Sequence, residues 1–328
     1  MLFRSVGSLG PNAGPDPATA VASPEPAINI TDVAVGVLQR PDGSVLYAQR
    51  PVGKVYEGWW EFPGGKAEQG EPIEQTLVRE LQEELGVTVT RFTPWVIRDH
   101  VYTHATVRLH FFRVTQWLGE PASSEGQLLQ WQNSSLPAPQ PLLPAAIPVI
   151  DWLVLPIRYI KTRTGGGNTE GINQAIAAIK ARIARYPCLI QLFEPALSDD
   201  LVLELYLQLK FVLNSSNSSR LLVHGIHRHL IPHAASGVHL DSTDLMACQT
   251  RPDGDLVGAE CQAPEHLARA AALGLDFVVM QPDIFARVGR TSRLPVFAVP
   301  QSLDLQLVHL VQTMDCLMLG GAHGIFEA

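Results

Sequence analysis

Three glutamates lie close together in the first half of the chain, at Glu80, Glu83 and Glu84. The pattern of residues 72–85 predicts the helix that would carry them. Proline opens this segment, leucines recur every four residues along one side, and Gly86 follows at a position where helices commonly end. At helical spacing the three carboxylates share one face, opposite much of the leucine stripe.

Three carboxylates on one face repel one another and weaken the helix. A divalent cation relieves that repulsion, and Mg²⁺, with Mn²⁺ as the alternative, prefers oxygen ligands and keeps substrate phosphates in its shell. Such a site can stabilise a transferring phosphoryl group and acidify a water. A solvated acidic face is the commoner reason for such a cluster. Gly64 and Gly65, which allow a close backbone turn, and Arg79, which can pair with Glu71, favour the metal site instead.

Short β-strand patterns surround the predicted helix. The other predicted elements of the first half lie, in chain order, at 32–38, 44–49, 101–104 and 106–114, near Trp131, and at 149–155. A Pro-Asp-Gly turn joins the first two strands, which predicts a hairpin. The segment at 149–155 is predicted to be a closing helix. The order β-β-α-β-β places the acidic helix between two pairs of strands.

Residues 65–87 match the Nudix box at every defining position. From about residue 30 to residue 155 the chain resembles the MutT branch of Nudix hydrolases, through the segments Ala48-Gln-Arg50, Trp60-Glu-Phe-Pro-Gly-Gly-Lys66, Gln75-x-Leu77-x-Arg-Glu-Leu81, and Glu125-Gly-Gln127 followed by Trp131. Members of that branch hydrolyse nucleoside triphosphates, oxidised guanine nucleotides such as 8-oxo-dGTP among them, to the monophosphate and pyrophosphate. The resemblance implies an α/β/α sandwich with a mixed sheet.

The resemblance also implies a role for each matching residue. Glu80, Glu83 and Glu84 would bind the divalent metal together with the Gly64 carbonyl, and Glu125 would be a further ligand or the group that activates water. Arg50 would contact the phosphates or sugar of the substrate, and Phe62 would lie near the base. The remaining implied residues are Glu61, Pro63 and Lys66 in the substrate site, and Gly65, Glu71, Arg79 and Gly86 as structural positions of the motif.

One position departs from the MutT pattern. In that branch an asparagine near the end of the domain reads the oxidised guanine, and the corresponding place here falls on Ala146. Alanine has no side-chain hydrogen-bonding group, so discrimination of this type would lose its main reader. We therefore expect the hydrolase chemistry without a secure preference for 8-oxo-guanine.

The second half alternates short apolar runs with helical patterns. Seven runs lie between residues 157 and 299, and an eighth strand is expected at 316–319 or 324–326. Such alternation predicts parallel βαβ units and, with eight strands, a (β/α)₈ barrel of the TIM type. This region resembles thiamine-phosphate synthase and its TenI relatives, through Gln191-Leu192, Gly237-Val-His-Leu240, Leu-Gly-Leu-Asp276 and Gly321-Ala-His-Gly-Ile325.

Most catalytic positions implied by this second resemblance are replaced. The arginine and lysine that grip pyrophosphate fall within Phe193-Glu-Pro195, and the Asn-Asp that ends the third strand falls within Val223-His-Gly225. The threonine-rich phosphate loop becomes 281–285, and a Gly-Gly-Ile turn becomes Pro300-Gln-Ser302. Because a phosphate site needs glycine-turn N–H groups and nearby cations, thiamine-phosphate synthesis is not expected. A small phosphorylated ligand in the barrel stays possible.

Histidines and cysteines of the barrel offer weaker alternatives. His224, His227, His229 and His233 follow a predicted strand, but they have no carboxylate nearby, and solvated loop histidines are more common than metal ligands. Cys188 and Cys261 lie on predicted strands, where cysteine more often fills space than acts as a nucleophile. None of the four cysteines forms a C-x-x-C pair, which favours reduced thiols and a cytoplasmic location.

Composition limits the partners and the domain count. With 24 basic and 32 acidic residues the net charge is −8, which disfavours a nucleic-acid polymer as partner. No apolar stretch is long enough for a membrane span. The 328 residues suggest two domains, which we place at 29–155 and 156–328, after a Pro-, Ala-, Gly- and Ser-rich extension over 1–28 predicted to be disordered.

Three functions remain open. The first is a metal-dependent nucleoside triphosphate pyrophosphohydrolase with an attached barrel that has lost catalysis. The second is a bifunctional enzyme whose barrel still condenses thiamine precursors. The third is a hydrolase regulated or scaffolded by a barrel that binds a small phosphorylated ligand.

Overall fold

The computed structural model describes residues 30–103, 105–124, 126–165, 167–214, 218–231, 237–300, 317–318 and 321–327. The predicted extension over 1–28 lies outside these ranges. The first half forms seven strands and two helices, namely β1 (Ile30–Leu38), β2 (Ser44–Gln49), β3 (Trp60–Glu61), β4 (Gly64–Lys66), α1 (Ile73–Leu85), β5 (Thr88–Val101), β6 (Thr106–Leu118), β7 (Leu129–Asn133) and α2 (Ile147–Leu153).

These strands form two small sheets. The first has the order β4-β1-β6-β5 and is mixed, because β1 and β6 run parallel whereas the other neighbours are antiparallel. The second is antiparallel, with the order β3-β2-β7. Helix α1 packs against the first sheet through Leu77, Leu81 and Leu85, all completely buried. Helix α2 joins the apolar core on the other side, which confirms the predicted sandwich.

Two local predictions for the first half are wrong. The Pro-Asp-Gly turn forms, but β1 and β2 enter different sheets and share only the bridge between Gln39 and Val45, so they are not a hairpin. Residues 101–103 do not open a new strand, because β5 is 14 residues long and ends at Val101, where the chain turns back into β6. His104 lies outside the described residues. The short strand near Trp131 is confirmed as β7.

The second half is a closed barrel of eight parallel strands. Its strands are β8 (Arg158–Lys161), β9 (Leu189–Leu192), β10 (Arg220–His224), β11 (Gly237–Leu240), β12 (Val257–Cys261), β13 (Phe277–Met280), β14 (Val296–Ala298) and β15 (Gly324–Glu327). Its helices are α3 (Thr169–Ile183), α4 (Asp199–Leu213), α5 (Ser242–Ala247), α6 (Pro264–Ala272) and α7 (Pro282–Val288). The eighth strand is therefore the later of the two candidates.

Aromatic side chains fill one end of the barrel. The Tyr159 ring lies 5.5 Å from Phe277, 5.5 Å from Phe297 and 4.9 Å from Phe326, measured between ring centroids. All four rings are buried together with Leu189 and leucines of neighbouring strands. The interior is therefore a packed core, as expected for this architecture.

The two halves pack against each other along β5. The Ile97 N–H donates to the Ser292 carbonyl at 2.9 Å, and the Arg293 guanidinium pairs with Asp99 at 2.6 Å. A single cluster of buried apolar residues contains Trp95 and Trp152 from the first half together with residues of several barrel strands. The described part of the chain contains no helix long and apolar enough to cross a membrane.

Candidate active site

Helix α1 is fixed at both ends by backbone geometry. Pro72 was predicted to be the first helical residue, but it is extended and caps a helix that begins one residue later, at Ile73, and Gly86 closes the helix with φ of 67°. Because the leucine stripe is buried, the opposite side of the helix faces outward and presents Glu80 and Glu83. The Glu80 side chain is 16% exposed and the Glu83 side chain is 60% exposed. The acidic face therefore combines one largely enclosed carboxylate with one that is open to solvent.

A glycine loop brings the backbone onto this acidic face. The Gly64 N–H donates to Glu84 Oε2 at 3.0 Å. Gly64 has a φ of 146°, and a Cβ there would lie 2.1 Å from the Ala34 carbonyl oxygen. A Cβ on Gly65 would lie 2.1 Å from the carboxyl carbon of Glu80. Both glycines are therefore required for this approach, as the sequence predicts.

Arg79 organises the carboxylates around it. Its Nε and one terminal nitrogen each donate to Glu71 at 2.9 Å, and this second nitrogen also reaches the Lys66 carbonyl at 3.1 Å. The other terminal nitrogen donates to Glu80 at 2.9 Å and to Glu83 at 3.1 Å. The bonds from Arg79, assisted by the Glu68 N–H and the Thr76 hydroxyl, lower the pKa of Glu71 to about 2. The predicted Arg79–Glu71 pair is present.

The Glu80 carboxylate has surroundings that disfavour its negative charge. Burial raises the pKa of Glu80, Arg79 opposes this effect, and the charges of Glu83 and Glu71 reinforce it. A further positive charge beside Glu80 would favour its ionised form. The electrostatics of this face therefore suit a bound cation.

In this structure the carboxylates of Glu80, Glu83 and Glu84 do not converge on one point where a metal ion could bind. Within the described ranges, no group of three or more His, Cys, Asp or Glu side chains is close enough to hold a metal ion. The hydrogen bonds explain this, because Arg79 holds Glu80 and Glu83 while Gly64 holds Glu84. The donor set nevertheless fits a hard divalent cation, since it offers carboxylate oxygens on one face over a loop where a Cβ would block the approach.

The segment that carries Glu125 is attached to the end of α1. The Ser124 N–H donates to the Glu84 carbonyl at 2.9 Å, and the Ala122 N–H donates to the Leu85 carbonyl at 3.0 Å. These bonds also satisfy carbonyl groups that the helix end leaves unpaired. Glu125 itself lies outside the described residues, so the structure leaves its predicted role untested.

The residues predicted to contact substrate lie on the strands and loop before α1. Arg50 and Glu61 form an ion pair at 2.7 Å, and the Arg50 Nε also donates to the Val55 carbonyl at 2.7 Å. Burial raises the pKa of Glu61, and the Arg50 charge opposes it. Phe62 is only 4% exposed, stacked on Tyr47 with centroids 5.1 Å apart. Phe62 therefore belongs mainly to the core.

Pro63 and Lys66 flank the two glycines. The Pro63 carbonyl accepts the Gly36 N–H at 2.8 Å, which attaches the loop to β1. Lys66 ends β4 with an exposed side chain next to the acidic face.

An aromatic group beside the Arg50–Glu61 pair was not predicted. Tyr56 lies 5.1 Å from Trp59 and 5.6 Å from Tyr102 between ring centroids. Tyr56 has a φ of 62°, which is rare for a residue other than glycine and marks a constrained loop. Tyr102 hydrogen-bonds the Ala145 backbone, and burial raises its pKa. The clustered aromatic residues at 56–60 were the available sequence signal, but their partner Tyr102 is distant in the chain.

Ala146, where the branch places its reader asparagine, lies on a short 3-10 helix over Pro144–Ala146. It is 5% exposed, and its N–H donates to the Leu143 carbonyl. The neighbouring Ala145 contacts Tyr102, so the position is near the aromatic group. Its methyl group brings no hydrogen bond to that region.

Among the described residues, the barrel histidines His224, His227 and His229 are engaged separately. His224 accepts the Ile226 N–H, His227 accepts the Glu194 N–H at 3.0 Å, and His229 lies 3.4 Å from Asp199. Each imidazole therefore has a different partner, while His233 lies outside the described residues. Cys188 and Cys261 are fully buried, and burial raises their pKa values to about 11 and about 12, as expected for thiols that fill space.

Polar side chains collect instead at the carboxyl ends of the barrel strands. Lys161 Nζ lies 3.7 Å from the centroid of the Phe193 ring, and the His224 ring lies 5.9 Å from His239. Gln191 is 2% exposed, and its Oε1 has no hydrogen-bond partner among the described residues. Burying a hydrogen-bond acceptor without a partner costs free energy of folding. This end of the barrel therefore differs from the aromatic end, whose packed side chains are almost all apolar.

Comparison with known proteins identifies the first half. A family model described as NUDIX domain matches residues 34–151. An 8-oxo-dGTP diphosphatase from Proteus vulgaris is 43% identical over 94 residues, which are 29% of this chain and 84% of that protein. An 8-oxo-dGTP diphosphatase from Escherichia coli (strain K12) is 36% identical over 101 residues, 31% of this chain and 78% of that protein. A CTP pyrophosphohydrolase from the same organism is 35% identical over 130 residues, 38% of this chain and 91% of that protein.

The barrel lies beyond the span that the family model matches. The relatives, in contrast, are covered over most of their own length. The chain therefore belongs to the Nudix family and is a hydrolase that acts on phosphoric anhydride bonds.

Proposed function

We propose that the Nudix domain is a Mg²⁺-dependent nucleoside triphosphate pyrophosphohydrolase that releases the nucleoside monophosphate and pyrophosphate. The observation that carries this proposal is the contact of the Gly64–Gly65 backbone with the acidic face of α1. A solvated acidic face needs no such loop, whereas a site that holds phosphates and a cation against the backbone does.

Glu80, Glu83 and Glu84, the Gly64 carbonyl and Glu125 would hold the divalent cation, with Mn²⁺ as an alternative to Mg²⁺. A bound cation would supply positive charge at the phosphates and lower the pKa of an attacking water. Arg79 positions Glu80 and Glu83 through its hydrogen bonds and keeps Glu71 ionised. Glu125, on the segment attached to the end of α1, would alternatively take the proton from water.

The substrate would lie across the loop and strands before α1. Lys66 adds an exposed positive charge beside the acidic face, suited to the phosphates. Arg50, held by Glu61, would contact the phosphates or sugar. Phe62 and Pro63 would form the apolar wall nearer the base.

Oxidised nucleotides such as 8-oxo-dGTP are candidate substrates, which would give the protein a part in protecting DNA. Two relatives described above are 8-oxo-dGTP diphosphatases, and the third is a CTP pyrophosphohydrolase. Ala146 removes the side chain expected to discriminate the oxidised guanine. We therefore propose broad triphosphate hydrolysis. One neutral hydrogen bond accounts for about tenfold discrimination, so without it the preference for 8-oxo-dGTP over dGTP should be less than tenfold.

The test is release of pyrophosphate from 8-oxo-dGTP, dGTP and CTP, and of AMP with ribose 5-phosphate from ADP-ribose, with and without Mg²⁺. Glu83→Gln is expected to lower kcat by about a hundredfold or more, as for loss of electrostatic stabilisation in other active sites. Glu74→Gln is the matched control, because Glu74 lies in the first turn of the same helix and outside the acidic face. If both variants retain wild-type activity, the proposed role of the acidic face is wrong.

The barrel is a second candidate for function, as a binding site for a small phosphorylated ligand or a thiamine precursor. The unpaired Gln191 acceptor and Lys161, both at the carboxyl ends of the barrel strands, favour this idea. Phe193 and Glu194 replace the expected cationic residues, and the Glu194 carboxylate is occupied by Thr164 at 2.8 Å, which argues against synthesis. A thermal shift of the full chain with thiamine precursors, absent in Gln191→Leu, would support binding; no shift would leave the barrel a structural role.

We further propose the domain division at residues 155 and 156 and a cytoplasmic location. The division follows the end of α2 and the start of β8. The location rests on cysteines that are free in the described part of the chain.

A further inference from the structure

A cleft lies where the Nudix sheet meets the barrel. It has a volume of about 640 Å³ and is lined by Ile97, Arg98 and Trp152 of the Nudix half and by Ala268, Ala272 and Arg293 of the barrel half. That volume falls within the range of small-molecule sites. The cleft is separate from the acidic face of α1 and from the open end of the barrel.

Arg98 is the cation in this cleft without a carboxylate partner among the described residues. Its guanidinium lies 5.3 Å from the centroid of the Trp152 ring. Burial lowers the pKa of Arg98, and the Arg293 charge acts in the same direction. A half-buried guanidinium next to a second one is electrostatically unfavourable, and a bound anion would relieve it.

The carboxylates that line the cleft do not neutralise Arg98. Asp99 is shared by Arg108 at 2.8 Å and Arg293 at 2.6 Å. Asp276 pairs with Arg251 at 2.6 Å. Asp151 lies exposed on the rim. Arg293 commits one nitrogen to Asp99 and has further N–H donors that a ligand can accept.

The part of the cleft formed by α6 carries small apolar side chains. Ala268 and Ala272 are exposed on α6, next to Leu275 and Leu294. Small side chains leave a flat surface without hydrogen-bonding groups, against which an apolar or planar part of a ligand can pack. A ligand with an anionic group near the two arginines and an apolar body against α6 would therefore match both parts of the cleft.

We propose that this cleft binds a phosphate monoester with an apolar or planar body, such as a nucleoside monophosphate. Its phosphate would accept hydrogen bonds from Arg98 and Arg293, and its body would cover the alanine surface of α6. A dianionic phosphate suits two neighbouring guanidinium groups better than a monoanionic carboxylate does. The proposal does not depend on which triphosphate the Nudix domain hydrolyses.

Calorimetric titration of the full chain in EDTA, with deoxyguanosine monophosphate, orthophosphate and deoxyguanosine as separate probes, tests this site. Deoxyguanosine monophosphate is expected to bind more tightly than either fragment. Arg98→Gln is expected to weaken its binding about tenfold or more, because a charge-assisted contact is lost. Arg185→Gln, which changes an exposed arginine at the end of α3, is the matched control and should bind as the wild type does.

Ala268→Leu tests the same cleft without changing charge. Leucine keeps the helix and fills the apolar wall, so it should also weaken binding about tenfold, even if Arg98→Gln disturbs folding. No binding by the wild-type chain at millimolar concentration would overturn the proposal. Wild-type affinity in both cleft variants would also overturn it, because the nucleotide would then occupy another site.

Discussion

Gly65 carries a hydrogen atom where any other residue would place a carbon, 2.1 Å from the carboxyl carbon of Glu80. This contact sets the separation of the loop from the acidic face. Glu80 is held on its other side by Arg79 at 2.9 Å, so the carboxylate has little room to move away. The chemistry of the site therefore depends on a residue that contributes no functional group.

Gly65→Ala should lower kcat about a hundredfold, since displacing a catalytic group by roughly an ångström costs that much. Its thermal midpoint should change little, because the loop and the Glu80 side chain can separate without disturbing the buried leucines. Steady-state kinetics and circular dichroism on the same preparation would check both points. An active Gly65→Ala variant would show that the close contact is not needed.

At this scale the contacts between residues near in the chain were predictable from the sequence. The close approach of the two glycines to α1 and the Arg79–Glu71 pair both follow from one motif. The contact of Tyr102 with Tyr56 did not, because it depends on how β5 ends relative to a distant loop. The Arg50–Glu61 pair was missed for a related reason, since it joins the residue that follows β2 to a residue of β3.

At the scale of elements, α1 depends on the glycine that caps its C-terminal end, Gly86. Gly86 adopts φ of 67° with open space around its Cα, so a side chain there meets no clash but a strained backbone. Gly86→Ala should lower the free energy of unfolding by roughly 1–2 kcal/mol, and Gly86→Asn by less, because asparagine tolerates this conformation better. Urea unfolding of the two variants would test the order. Equal stability of Ala, Asn and wild type would contradict it.

Strand lengths and pairings were harder to predict than the helix. The 14-residue β5 contains Arg91, Pro94 and Arg98, which interrupt simple alternation, and the strand has irregular register near Arg91 and Pro94. The hairpin prediction failed because a turn specifies only a local reversal, while β1 and β2 pair with strands far away in the chain. The barrel was predictable because each short apolar strand is followed by a helix that carries its own signals.

At the scale of the whole molecule, the halves are joined by a buried polar contact. An Arg113 terminal nitrogen lies 2.9 Å from His323 Nδ1, and the guanidinium lies 4.2 Å from the Trp95 ring centroid. Because arginine only donates, His323 must accept at Nδ1 and carry its proton at Nε2, which lies 3.2 Å from the Leu155 carbonyl. A protonated His323 would lose this contact and place two cations side by side.

The protein should therefore lose stability on mild acidification. Burial lowers the pKa of His224 to about 4, that of His239 to about 3 and that of His323 well below its usual value. Below about pH 6.5 the unfolded chain binds protons that the folded chain does not, so stability falls as the pH drops towards the folded values. Each histidine contributes up to about 1.4 kcal/mol per pH unit.

Thermal midpoints at pH 7.0 and pH 5.5 would measure this effect. His224→Gln should show a smaller decrease than the wild type, because one titrating group is gone while an amide oxygen can still accept the Ile226 N–H. A midpoint independent of pH in this window would contradict the neutral, buried state of these histidines.

The central claim is tested most directly by the products that the full chain forms from a nucleoside triphosphate in the presence of Mg²⁺. Chromatography and a pyrophosphate assay on one reaction would identify both products. The acidic face of α1 and the glycine loop predict monophosphate and pyrophosphate in equal amounts, with turnover abolished by EDTA. Release of the nucleoside diphosphate and orthophosphate would contradict the proposed function. No turnover of any triphosphate tested would also contradict it.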